Sequence, residues 1–230
     1  MLTSANRATT VLLTLVLAAA AIGVSGCSSA GIAMREKVFG QAKRDQLVAR
    51  VEDARDAQDA AKKQFASALE EFIAVTNVNA DPNVAALESR YKKLKSDYDR
   101  SETKAGAVKD RITSVENVAN ALFKEWNAEL SQYQSAQLRA SSQQQLNETQ
   151  SRYQQLLSAM KSAEGKMQPV LAAFKDQVLF LKHNLNARAI ASLQGTATQI
   201  QNDVGGLIRE MEASIAEANS FISQMQSADK

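Results

Sequence analysis

The chain has 230 residues, with 27 Lys and Arg against 25 Asp and Glu, so it is close to neutral. Aromatic residues make up 5% and prolines number two, while Ala, Gln, Ser, Lys and Glu dominate, a composition of long helices rather than sheets. The balance of charge excludes the basic footprint of a nucleic-acid binder. Opposite charges interleave, as in "DARDAQDAAKK", the pattern of a solvated helix surface.

The N-terminus predicts export. Arg7 precedes the uncharged stretch "ATTVLLTLVLAAAAIGVSG", which has the apolar core and small-residue exit of a secretory signal and is short for a membrane span. Val24, Ser25 and Gly26, followed at once by the single cysteine Cys27, resemble the bacterial lipobox. That resemblance implies cleavage before Cys27 and lipidation of its thiol, with palmitate as the marker. Each buried methylene contributes about 0.8 kcal/mol, and two or more chains hold a protein on a membrane. Ser28, not an acidic residue, follows the cysteine. By resemblance to Gram-negative lipoprotein sorting, this implies the outer membrane, facing the periplasm. The organisation expected is a signal peptide over 1–26, a short tether over 27–34, and one elongated helical coiled-coil domain over 35–230. A lone thiol makes no internal disulfide, so packing alone must stabilise that domain.

Beyond the tether the chain reads as heptads. From Leu47, the positions Val51, Ala54, Gln58, Ala61, Phe65, Ala68, Phe72 and Val75 alternate in steps of three and four, one polar Gln58 interrupting an apolar seam. The seam stops at "TNVNADPN", where Asp81 suits an N-cap and Pro82 the first helical position. A second seam then runs through Val84, Leu87, Tyr91, Leu94, Tyr98, Ser101, Ala105, Val108, Ile112, Val115, Ala119, Leu122 and Trp126, predicting a helix from about 82 to 138. Such a helix would be about 85 Å long. The seam lapses in "QLRASSQQQLNETQ", which places a second turn near Ala140 to Gln143.

The third seam holds Leu146, Tyr153, Leu156, Met160, Met167, Val170, Phe174, Val178, Leu181 and Leu185. Gly165 and Pro169 interrupt it without changing its phase, so a kink rather than a reversal is expected. Leu171, Leu179, Phe180 and Ile190 fall off the narrow seam, and a wider apolar stripe predicts cover by more than one neighbour. The last seam carries Ile200, Val204, Leu207, Met211, Ile215, Ile222 and Met225. A reversal or hinge before it would fall in "LQGTATQ" or at Gly205–Gly206. The fold expected is all-α: an elongated antiparallel bundle or coiled coil of three to four long helices.

Little chemistry sits on this frame. His183 is the single histidine, so no His/Cys set exists for a transition metal, and there is no phosphate loop, nucleophile elbow or H-E-x-x-H. The adjacent acids Glu52–Asp53 and Glu70–Glu71 point to different helix faces, and Met160, Met167, Met211 and Met225 fall at core spacing. No catalytic residue, cofactor or metal is expected, and the chain reads as no enzyme. The stretch Phe180 to Leu193 stands apart because Lys182, His183, Asn184, Asn186 and Arg188 crowd its turns. Two readings of these five stand: polar residues that cap and fix register, or a contact for a partner or headgroup.

The blocks "VEDARDAQDAAKKQFASALEEF", "VENVANALFKEWNAEL" and "MQPVLAAFKDQVLFLKHNLNARAIASLQ" resemble a bacterial family of unknown function, DUF2959, over about Arg35 to Met225. The resemblance implies a helical envelope protein, often with a lipoprotein signal, and lends no catalytic residue. The function expected is that of a membrane-anchored spacer or adaptor, held at Cys27. It would meet an envelope protein or a second copy through its helices, and no nucleic acid. The alternative is a bundle that opens for a lipid or small apolar ligand, with Phe174 to Leu193 lining the cavity.

Overall fold

The structure is a computed structural model and describes residues 28–76 and 84–227. The predicted signal, Cys27 and most of the "TNVNADPN" turn lie outside the described residues. Among those described there are four helices and no strand: α1 (Ser28–Thr76), α2 (Val84–Leu130), α3 (Ala136–His183) and α4 (Ala187–Ser227). Residues 28–34, read as a tether, belong to α1. The contacts divide the chain into two units, Met1–Lys37 and Val38–Lys230, and the second holds the bundle.

Contacts between helices order them around a square. Lys43 meets Glu125, Arg111 meets Asp53 and Lys93 meets Glu71, so α1 and α2 run antiparallel. The same opposition appears between α2 and α3, where Lys161 meets Glu116 and Phe123 packs edge-on to Tyr153 at 5.3 Å. It recurs between α3 and α4 in Lys166–Glu210, and between α4 and α1 in Gln58–Ser214 and Lys62–Glu212. Across the diagonal, Phe72 of α1 meets Phe174 of α3 edge-on with centroids 6.1 Å apart. This is the up-down-up-down arrangement that short connections favour. Most of these surface ion pairs contribute little alone; the apolar seams hold the bundle.

Those seams face inward. Every α1 position from Val51 to Val75 named above is at most 1% exposed, and Leu94, Val108, Ile112 and Val115 in α2 match them. Gly165 and Pro169 lie inside an unbroken α3, as the preserved phase required.

Five boundaries or faces differ from the sequence reading. The helix expected to reach residue 138 ends at Leu130, about 70 Å along by the standard rise. The second turn is 131–135, earlier than Ala140, because Ser135 caps α3 by accepting from the Leu138 N–H and Arg139 donates to the Tyr133 carbonyl at 2.7 Å. The serine- and glutamine-rich stretch is therefore helix, with Ser142 and Thr149 occupying buried seam positions. The last reversal is neither at "LQGTATQ" nor at Gly205–Gly206 but at Asn184–Asn186, and α4 runs unbroken through all three glycines. On α4 the three–four alternation continues from Met211 to Ser214, Ala218, Phe221 and Met225; Ile215 is only half-buried. Finally, α3 does meet more than one neighbour and Leu171 and Ile190 are buried, but Leu179 and Phe180, 52% and 39% exposed, lie outside that cover.

Candidate functional site

The five polar residues singled out from sequence cluster at the α3–α4 turn and divide by role. Asn184 ends α3: its N–H donates to the Leu181 carbonyl at 3.2 Å and its side-chain Nδ2 to the Phe180 carbonyl at 2.9 Å. Asn186 begins α4, its Oδ1 accepting from the Ala189 N–H at 3.0 Å and its carbonyl from Ile190 at 3.1 Å. Such caps satisfy main-chain groups that a helix end leaves over, which is why two asparagines suffice to reverse the chain. Lys182 and His183 occupy the last turn of α3, where the Lys182 charge complements the helix dipole. Together with Arg188 they are exposed, so none of the three joins an interior layer.

The turn has a defined place in the bundle. The Gln194 side chain donates to the Thr76 carbonyl at 3.4 Å, setting the α3–α4 turn at the same end as the close of α1. At the other end Lys43 pairs with Glu125, the Arg44 guanidinium lies 4.7 Å over the Trp126 ring, and the Trp126 indole N–H donates to Ser142 Oγ at 2.8 Å. The 131–135 turn closes that end. Lys43 and Thr76 are separated along α1 by about 50 Å.

The polar groups that do lie inside were not singled out from sequence, apart from Gln58 and Ser101 as seam positions. Gln58 and Ser214 are both fully buried, and Ser214 Oγ donates to Gln58 Oε1 at 2.9 Å, tying α1 to α4. Asp97, 1% exposed, accepts from Gln64 Nε2 at 3.0 Å and pairs with Arg100, while Ser101 Oγ donates to its main-chain carbonyl at 2.8 Å. Gln58 Nε2 and Asp97 Oδ2 have no hydrogen-bond partner among the described residues. Asp97 carries a signal: it stands three residues after Leu94 and four before Ser101, a seam position beside Tyr98. Ser214 does too, three residues after Met211.

Burial shifts the tyrosines. Tyr153, 2% exposed, is pushed up to about 12, first by loss of water and then by the nearby Glu116 carboxylate. Tyr98 moves the same way through burial and Glu102. On the surface, hydrogen bonds from Lys166 and Ser162 hold the Glu210 carboxyl below its ordinary range.

None of these groups forms an acid–base pair or an activated nucleophile. Among the described residues no group of three His, Cys, Asp or Glu side chains converges to hold a metal. No helix among them is long and apolar enough to cross a membrane. Among the described residues, the fold and site define an all-α, four-helix bundle with a capped polar turn between α3 and α4. Residues 32–225 match the model of the family described as protein of unknown function (DUF2959), and the chain belongs to that family. No curated protein matches the sequence.

Proposed function

We propose that the protein is a lipid-anchored envelope spacer or adaptor: Cys27 holds it on the outer membrane facing the periplasm, and the bundle presents the α3–α4 turn to another envelope component. The observation that carries this reading is the separation of the two ends. The described N-terminal part of the bundle, around Lys43, lies beside Glu125 and the 131–135 turn, about 50 Å along α1 from Thr76 and the α3–α4 turn. A chain tethered through its N-terminus would therefore carry its capped, cationic turn at the far end.

The alternative of a ligand-holding bundle has less support. Where a cavity along Phe174 to Leu193 would open, Phe174 is 0% exposed and meets Phe72 ring edge to ring face. Two aromatic side chains filling that level leave a ligand to displace packing that contributes several kcal/mol.

The anchor is tested by metabolic labelling with palmitate and by fractionation. The wild-type chain should take up label and stay with membranes. Cys27→Ala should lose both the label and the cleavage that follows lipidation. Label that persists in Cys27→Ala removes the anchor from the account.

A further inference from the structure

At the far end, the last turns of α3 leave uncovered what the rest of the bundle buries. Leu179 and Phe180, 52% and 39% exposed, are adjacent apolar residues on the outer side of the helix. Helical spacing sets Lys175 four residues before Leu179 and Lys182 three after it, so the apolar spot is bordered by cations. Arg188 adds another from the first turn of α4. Among the described residues no carboxylate pairs with Lys182 or Arg188, although Asp176 lies one turn before Phe180. From residue 177 to residue 202 the chain contains no Asp or Glu at all. Two acids elsewhere at this end are engaged, Glu71 with Lys93 and Glu88 with Lys92, while Glu70 is exposed on α1.

We propose that this tip docks on a membrane surface containing anionic lipid, with Lys182 and Arg188 on the headgroups and Leu179 and Phe180 entering the boundary with the acyl chains. The charge of the segment calls for an anionic partner. The apolar pair favours a lipid surface over a purely hydrophilic anionic polymer, since a polymer offers nothing to an exposed phenyl ring. Cations near such a surface and an inserted aromatic are the two elements by which interfacial segments bind. The proposal takes from the spacer reading only the tip's place in the cell; the lipid contact itself does not require the anchor.

The test uses the mature chain, residues 27–230, with Cys27→Ala so that no acyl chain contributes. It is mixed with phosphatidylcholine vesicles with and without phosphatidylglycerol, and binding is read by co-sedimentation. Binding should require phosphatidylglycerol and weaken as salt rises. Removing both cations, Lys182→Gln with Arg188→Gln, should weaken it about twenty-five-fold, about fivefold for each charge. Phe180→Ser should weaken it while leaving the helical circular dichroism unchanged, and Lys63→Gln, at an exposed site outside the tip, should bind as wild type. Equal binding to neutral and anionic vesicles overturns the proposal, as does wild-type binding by the charge variant. Retention on isolated cell-wall polymer that is indifferent to Leu179 and Phe180 also overturns it, in favour of that polymer. A null vesicle result beside palmitate labelling at Cys27 removes the lipid contact and leaves the spacer reading standing; vesicle binding without labelling does the reverse.

Discussion

Replacing the buried pair Gln58–Ser214 by apolar residues should make the bundle more stable. Both side chains are fully buried, and one hydrogen bond of 2.9 Å joins them, while Gln58 Nε2 has no partner among the described residues. A buried donor left unpaired costs about 1–3 kcal/mol, and the bond that is made contributes about 1 kcal/mol. Ser214→Ala removes the donor to Gln58 Oε1 and leaves the whole amide unsatisfied, so it should lose about 1–3 kcal/mol. Gln58→Met keeps the length of the side chain and removes the amide, while the Ser214 hydroxyl can turn to a carbonyl one helical turn back; the change should lie between neutral and a gain of about 2 kcal/mol. The double variant Gln58→Met with Ser214→Ala should exceed wild type by about 1–2 kcal/mol, and the two changes should be strongly non-additive. Urea denaturation followed by circular dichroism, with unchanged slopes, gives all four corners of the cycle. A double variant less stable than wild type by more than about 1 kcal/mol would refute the reasoning, because the polar pair would then be satisfied and net stabilising.

Three further outcomes follow from the same packing. Ile112, 1% exposed, should lose several kcal/mol on Ile112→Asp, whereas Lys92→Asp, at a site 70% exposed, should lose well under 1 kcal/mol; equal losses in thermal denaturation would overturn the assignment of faces. A Cβ at Gly165 meets nothing within 4 Å and one at Gly205 only the Arg209 guanidinium at 3.7 Å, so Gly165→Ala and Gly205→Ala should each stabilise by about 1 kcal/mol in the same assay. Tyr153 is held protonated in the fold up to about 12, above the unfolded value of 10.0. Its contribution is complete below pH 10 and should fade as pH rises toward 12, by roughly 2–3 kcal/mol, a decline that Tyr153→Phe should flatten in denaturation at stepped pH.

The seams were legible because heptad spacing is a geometric demand. Val51 through Val75 and Leu94 through Leu122 are buried where the alternation of three and four put them. What the sequence hid was polar matter at seam positions. Ser142 and Thr149 looked like a lapse and hence a turn, yet Ser142 is tied to the Trp126 indole, and the turn is set by the Ser135 cap seven residues earlier. Ile215 is the more apolar of two adjacent candidates, yet Ser214 takes the seam position because Gln58 across the bundle gives its hydroxyl an acceptor. The α3–α4 reversal was hidden for a related reason: apolar periodicity continues through Leu185 and Ile190, and only the two asparagine caps break the helix. Of the site, composition pointed to the right stretch, but it did not separate the capping asparagines from the outward Lys182, His183 and Arg188. The exposure of Leu179 and Phe180 depends on where α4 turns back, which only the assembled bundle decides.

Each end of the bundle offers an exposed leucine: Leu138, 59% exposed beside the 131–135 turn, and Leu179, 52% exposed beside the α3–α4 turn. A photoreactive amino acid at each position in turn, irradiated in intact cells, reads what lies next to that end. The account predicts that Leu138 labels components of the membrane holding Cys27, that Leu179 labels a different set, and that Cys27→Ala abolishes the first pattern. Identical adducts at both positions, or a Leu138 pattern that Cys27→Ala leaves unchanged, would contradict it.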